Sequence, residues 1–452
     1  MARPDPDAVG QAFLEAMGLV ETSRLKRLWS TGRSAAGLAR SMLSRRAEPT
    51  EADLKSLMRL TERLGELKGL AMKAGQVLSF VDAAMPAESR AMLALLQTKA
   101  PASPFDRVEA TLRAALGPRA GPLLEGLERV PVAVASIGQV HRARLADGTQ
   151  VAVKVRHAGI EEALKGDFAT AQAGIGVAKL MMPFVAESGL EAIGELRAAV
   201  LEECDFELEG RRQQAFGALF VNDPVIVVPS VLEELTARTV LTTRWKPGTS
   251  FERFVSGGPS QAQRDAIGAA LFRFYIGALY RAGQFHADPH PGNYAVAEDG
   301  RLVVYDFGCV RSFADETVLG LARLVEALRA DDAPRLREAG QQLGFRSSLA
   351  GEDFAVFRRF ARGFFGPVLA QGPNVIPADG SFDMRQLSKD KLALARLGMP
   401  GKLLFLARIR FGVYAVLARL GARVDWGELE RGWAAEVQQR HGEAALGVGR
   451  VS

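Results

Sequence analysis

Gln284-Phe-His-Ala-Asp-Pro-His-Pro-Gly-Asn293, followed thirteen residues later by Asp306-Phe307-Gly308, is the stretch on which the reading of this chain turns. It sets two carboxylates and an amide, Asp288, Asn293 and Asp306, at the ends of a segment V-A-E-D-G-R-L-V-V-Y. That segment reads as a β-hairpin turning at Asp299-Gly300, because Asp-Gly takes the φ > 0 conformations of tight hairpin loops at little steric cost. Closing the hairpin brings its two polar ends together. His286 and His290 stand four apart and raise a zinc reading, but Pro289 and Pro291 break any continuous helix between them. With no cysteine or third ligand beside them, they make a weak zinc site. A D-F-G triplet by itself carries almost no information, since an Asp after a strand is usually a turn or cap.

The five-residue spacing of Asp288 and Asn293 reproduces the catalytic loop of kinases, in which Asp faces the nucleophile and Asn holds Mg²⁺. Asp306 is then the second metal ligand. Such a site needs a strand lysine for the nucleotide phosphates, and V-A-V-K at 151–154 supplies one. Val151, Val153 and Val155 alternate with Ala152 and Lys154, the period of a strand with one buried face. Asp147-Gly148 closes a second hairpin with the strand I-G-Q-V-H-R-A-R-L before it. Where a Gly-rich loop would cover the phosphates the chain has P-V-A-V-A-S-I-G-Q, including Ala133, Val134, Ala135 and Ser136. A Cβ at these positions limits the approach of backbone to phosphate, so nucleotide geometry or selectivity is expected to differ from that of ordinary protein kinases.

Two further segments frame this core. Leu64, Leu67, Ala71, Ala74 and Leu78 recur at helical spacing around K-A-G-Q, with Lys73 and Gln76 on another face. From the residues alone this is an amphipathic helix. The stretch L-E-E-C-D-F-E-L-E-G reads as an acidic helix in which Asp205 and Glu209 share a face, while Glu203 and Glu209 diverge by about 120°. Glu202 and Glu207 suit either a solvated face or ion pairs.

K-A-G-Q, P-V-A-V-A-S-I-G-Q-V-H-R-A, E-C-D-F and H-A-D-P-H-P-G-N with D-F-G, in that order over residues 64–312, resemble the AarF/UbiB family of atypical kinases, which includes coenzyme Q biosynthesis proteins. The resemblance implies an α+β, bilobal protein-kinase-like fold with a helical N-terminal extension and a largely helical C-terminal lobe. It implies ATP and Mg²⁺ as cofactors, Lys154 paired with Glu209, and Asp288 at the reacting group. Lys73 and Gln76 of the K-x-G-Q helix, with Glu203 and Asp205 of an E-x-D motif facing it, are implied to sit near the nucleotide and to fill the cleft where a protein substrate would dock. The expected activity is therefore Mg-dependent ATP hydrolysis or small-molecule phosphoryl transfer supporting isoprenoid quinone biosynthesis or lipid handling, with quinone-pathway enzymes or lipids as partners. The alternative is a nucleotide-sensing pseudokinase. Five positions depart from the family pattern: Val134 in the loop, Arg244 in the hinge Val240–Trp245, His157 and Ala158 after the lysine strand, and Gly210 after Glu209. The expected segments are a basic stretch at 1–50, a helical extension at 51–130, a small lobe at 131–247 and a large lobe at 248–452.

Composition bounds the rest. At 452 residues and 48% hydrophobic content the chain can build sizeable cores. Two cysteines, Cys204 and Cys309, form no disulfide framework and fit a reducing, cytoplasmic setting. The N-terminus lacks the pattern of a secretory signal. Leu403–Leu420 is the most apolar run, but Arg408, Arg410 and Arg419 interrupt it, and it reads as a large-lobe helix rather than a span. Seven Lys and Arg residues and no acid fall in 22–46; without them a net +5 becomes −2. With Leu25, Leu28, Trp29, Ala36, Ala39 and Leu43 they form a basic amphipathic helix, suited either to an anionic inner-membrane surface or to docking on the core. A single aromatic, Trp29, and no recognition motif argue against nucleic acid. Pro49 marks a linker, and the tail beyond Asp315 reads as helices with a Gly/Pro-rich insertion at 371–380.

Overall fold

A computed structural model describes residues 102–135, 137–166, 168–169, 197–198, 200–377 and 397–445, all within one compact unit, Pro101–Ser452. The K-x-G-Q helix with Lys73 and Gln76, the basic stretch 22–46, Pro49 and Ser136 lie outside these residues.

The small lobe begins with helices α1 (Phe105–Leu116) and α2 (Ala120–Glu125), followed by strands β1 (Ala133–Val134), β2 (Gly138–Arg144) and β3 (Gln150–Arg156). Val108, Leu112 and Leu116 recur every four residues on α1 and are buried. They pack on Val151, Val153 and Val155, the inward face of β3, so residues 105–125 share one core with the small-lobe sheet. The Asp147-Gly148 turn forms as its chemistry requires: Gly148 takes φ +84°, and Asp147 Oδ1 accepts the Thr149 N–H. β2 and β3 pair from Gly138↔Arg156 to Arg144↔Gln150. Gly138 admits this register because a Cβ there would lie 2.5 Å from the Val155 carbonyl oxygen.

After β3 come helix α3 (Phe206–Leu219) and strands β4 (Ile226–Val227) and β5 (Val240–Arg244). The lobe's sheet is antiparallel in the order β1-β2-β3-β5. The acidic stretch differs from the continuous helix expected. It breaks at Glu203–Asp205, and Asp205 is the N-cap of α3, its side chain accepting the Leu208 N–H at 3.0 Å. An aspartate satisfies an orphan helix donor better than it continues a helix, which is why the helix restarts here. Asp205 and Glu209 are joined through the backbone, Glu209 N–H to Asp205 carbonyl, rather than as neighbours on a helix face.

The large lobe contains β6 (Thr249–Ser250), α4 (Phe251–Ser256) and α5 (Gln261–Phe272), which continues through a π segment, Arg273–Gly277, into α6 (Ala278–Ala282). A Ser260/Gln263 capping box starts α5, and Gly283 in the left-handed region ends α6. Strands β7 (Gln284–His286), β8 (Tyr294–Val296), β9 (Leu302–Val304) and β10 (Val310–Ser312) follow. Next come α7 (Asp315–Arg329), α8 (Ala333–Gln342), α9 (Gly351–Leu369), β11 (Asn374–Val375), α10 (Gly401–Leu420), β12 (Arg423–Val424) and α11 (Trp426–Ala445). A core rich in Phe, Leu and Val holds these helices around α5 and its extension.

Among the described residues no helix is long and apolar enough to cross a membrane. α10 is a large-lobe helix, as its interrupted apolar run implies. Its Arg410 is fully buried and donates to both oxygens of buried Glu430, at 2.9 and 2.5 Å, and to the Tyr414 hydroxyl. Tyr280 donates to the same Glu430. A charge that would be costly alone is thus matched on all sides.

Candidate active site

Two short ladders assemble the polar ends of the motif region. β8 and β9 pair with Tyr294↔Val304, around a turn in which Gly300 takes φ +81°. The next step of this ladder is the Tyr305 N–H, which donates to the Asn293 carbonyl at 2.9 Å. β7 pairs with β10, His286↔Val310, and the Ala287 N–H reaches the Cys309 carbonyl. Asp288 and Asn293 are therefore fastened to the strands on either side of Asp306.

Within the loop Asn293 Nδ2 donates to the Asp288 carboxylate at 2.9 Å and to its carbonyl at 3.1 Å. Tyr275, from the π segment, donates its hydroxyl to the same carbonyl. A π turn re-aims side chains by an extra residue, and such turns recur at functional sites. Pro289 rests on α10, where a Cβ on Gly412 would come within 2.7 Å of the proline ring.

His286 is fully buried and links the two halves of the site. Its Nδ1 accepts the Asp288 N–H at 3.3 Å, which leaves Nε2 as the protonated nitrogen donating to the Asp306 carbonyl at 2.6 Å. The neutral tautomer meets both bonds. His286 is therefore a brace within an aromatic cluster of Phe216, Phe274, Tyr275 and Phe307. His290 spends its Nδ1 on the Gly292 N–H. Among the described residues no three His, Cys, Asp or Glu side chains converge as a metal cage.

Phe307 is buried against Phe216 of α3, ring centroids 5.4 Å apart, and with Phe307 turned inward Asp306 is turned to the small lobe. Lys154, on the β3 face opposite the buried valines, donates to Glu209 of α3 at 2.7 and 2.9 Å and to Asp306 Oδ2 at 3.1 Å. Burial works against the ammonium, yet Asp306 and Glu209 outweigh it and hold Lys154 protonated well above the ordinary lysine range. Burial would raise Asp306 too, but the Lys154 charge and the Gly308 N–H hold its carboxyl down at about 2. Burial drives Glu209 up, with Lys154 opposing.

The sequence offers no local signal for a second set of contacts. Arg212 of α3 donates to the Gly308 carbonyl and to Glu202, and Arg311 of β10 donates to the same Glu202 oxygen, each at 2.8 Å. Glu202 is thus an ionic clasp on the segment after Asp306, and Glu207 is exposed. Glu203 lies near Gly308, its Cγ 3.7 Å from where a Cβ would stand. Ala133, Val134 and Ala135 form an exposed hairpin arm on β2, with Val134 opposite Gln139. The linker between the lobes is tied at both ends. The Trp245 N–H donates to the Gln150 carbonyl and the Tyr305 hydroxyl to the Lys246 carbonyl, while Arg244 points to solvent.

The comparisons with known proteins agree with this geometry. A family model described as the ABC1 atypical kinase-like domain matches residues 95–340, more than half of the chain. The chain belongs to the ABC1 atypical kinase-like family. Over 440 residues it is 27% identical to the atypical kinase COQ8, mitochondrial, of Saccharomyces cerevisiae, covering 91% of this chain and 84% of that protein. Over 357 residues it is 29% identical to the atypical kinase COQ8B, mitochondrial, of Rattus norvegicus, covering 74% and 66% of the two chains. Among solved structures, Rv3197 of Mycobacterium tuberculosis, in complex with erythromycin, matches with a TM-score of 0.60 at 30% identity, covering 85% of this chain and 98% of that one. The AarF/UbiB kinship and the bilobal kinase-like fold expected from the motifs are both borne out.

In this ABC1 domain the donor set suits a hard cation. Asp306 supplies a half-exposed carboxylate, and among the described residues the Asn293 amide oxygen accepts no hydrogen bond. Mg²⁺ is commonly held by one or two such oxygens, with water and substrate phosphates completing its octahedron, rather than by a full protein cage.

Proposed function

We propose that this ABC1 domain binds ATP with Mg²⁺ between its lobes and hydrolyses it or passes its terminal phosphoryl group to a small molecule. The observation that carries this reading is Lys154, held by both oxygens of Glu209 at 2.7 and 2.9 Å. In kinases this lysine–glutamate pair and a correctly placed Asp are both conditions for phosphoryl transfer. Lys154 would hold the α- and β-phosphates, and Asn293 and Asp306 would hold the metal, which when bound screens the phosphate charge. Asp288, fixed by Asn293 and Tyr275, would position the attacking hydroxyl or water. Ala133, Val134, Ala135 and Ser136 would cover the phosphates. Lys73, Gln76, Glu203 and Asp205 would border the nucleotide and favour a small acceptor.

The COQ8 names of its relatives support a role in isoprenoid quinone biosynthesis or lipid handling, with pathway enzymes or lipids as partners, and the basic composition of residues 22–46 supports a cytoplasmic site at the inner membrane surface. A second reading, nucleotide sensing without turnover, is favoured by one contact: Asp306 is engaged by Lys154 rather than directed at a free metal position. The deciding experiment measures Mg-dependent ADP release with and without anionic liposomes and a phenol or quinone headgroup analogue. Turnover under any of these conditions supports the enzyme. Nucleotide binding with none sustains the sensor.

A further inference from the structure

Away from the cleft, the ends of α7, α9 and α11 enclose a cavity of about 450 Å³ lined by Arg329, Arg362 and Arg431 together with Val368–Gly372 and Gly427. Every ionisable side chain on its wall is an arginine. Arg362 pairs with exposed Asp331, which it shares with Arg358, so one of the three charges is partly neutralised at the rim. Two other nearby carboxylates are committed elsewhere: Glu430 is taken by Arg410 and Tyr280, and Asp425 Oδ1 accepts the Glu428 N–H at the start of α11.

Arg329 is fixed rather than free to swing into solvent, because its Nη2 donates to the carbonyls of Gly427 and Val368 at 3.1 and 3.4 Å. Its Nη1 is buried and makes no hydrogen bond among the described residues. Gly427 lets α11 approach closely enough for this, since a Cβ there would stand 2.7 Å from the Val368 carbonyl oxygen. Burial, with the Arg431 charge adding to it against Glu430, holds Arg329 below the ordinary arginine range. Arg329 and Arg431 repel one another unless an anion joins them, and planar guanidinium forks match the oxygens of a phosphate.

We propose that Arg329, Arg362 and Arg431 form an anion site, separate from the interlobe cleft, that takes a soluble phosphate or phosphate monoester. The cavity volume leaves room beside the phosphate for a small organic group.

The test uses the full-length protein and isothermal titration with inorganic phosphate and with glycerol 3-phosphate at constant ionic strength. Arg431→Gln and Arg362→Gln change exposed side chains, and unchanged thermal unfolding serves as their folding control. Each should weaken phosphate binding by about tenfold, the loss of one charge-assisted contact pair. Asn293→Ala, in the cleft, should leave it unchanged. Binding that survives both arginine substitutions, or that disappears in Asn293→Ala, overturns the site. A third arm compares vesicles of phosphatidylcholine with and without phosphatidic acid. Arginine-dependent vesicle binding with no titration by either soluble phosphate overturns the soluble ligand in favour of a lipid headgroup.

Discussion

Lys154 and Glu209 meet through two hydrogen bonds, at 2.7 and 2.9 Å, with the Glu209 side chain fully buried. Replacing Lys154 by Met leaves Glu209 and Asp306 without their cation, and at pH 8 this should cost about 3–5 kcal/mol of stability. The cost should be smaller at pH 5. Glu209 already sits at about 7, against 4.5 for an ordinary glutamate, and losing Lys154 moves it higher. A carboxyl raised in the folded state binds its proton more tightly there than in the unfolded chain. The variant therefore gains stability as pH falls through that window and loses it as pH rises. Urea unfolding of both proteins at pH 5 and 8 measures the difference, and a deficit independent of pH would sink the assignment.

Asp306→Asn keeps the shape of the site but removes the ionised oxygen that Lys154 and a metal share. On the proposed reading, Mg-dependent ADP release should fall by about 10² to 10³, the scale of several kcal/mol of lost charge stabilisation. Ser312→Ala, a surface change at the end of β10 whose hydroxyl only accepts from Gln284, should leave turnover as it is. Equal losses in both would show that the effect is not metal placement.

Arg410 and Glu430 should show the asymmetry of a buried ion pair. Arg410→Met or Glu430→Leu alone should destabilise the large lobe by about 3–5 kcal/mol, whereas joining the two should recover most of that loss. A double-mutant cycle by denaturant unfolding reads the coupling, and additive losses would contradict it.

Gly138→Ala tests the strand register. The new Cβ would meet backbone, the Val155 carbonyl, so no side chain can yield, and about 1–3 kcal/mol of stability should be lost. A change below ~0.5 kcal/mol in thermal unfolding would mean that β2 and β3 are not so close.

The two hairpins were legible because each depends on one dipeptide, Asp147-Gly148 or Asp299-Gly300, whose backbone preferences act locally. The β3 alternation was legible for the same reason, and it placed Lys154 on the open face. The acidic stretch was misread as one helix because periodicity alone cannot tell a helical aspartate from a capping one; Asp205 followed by an apolar residue was the available cue. The pairing of Glu202 with Arg212 and Arg311 and of Arg410 with Glu430 carries no local pattern, since each depends on tertiary packing. The brace role of His286 was hidden because its two bonds go to backbone groups, one of them twenty residues away.

With the Lys154 ammonium bonded to two carboxylates, the cluster's formal charges sum to −1 once pH exceeds the value of about 7 at which Glu209 sits. An incoming triphosphate meets net repulsion there until Asp306 is handed to another cation. On the proposed reading, nucleotide and divalent cation are therefore thermodynamically linked, each raising the affinity for the other by the same factor.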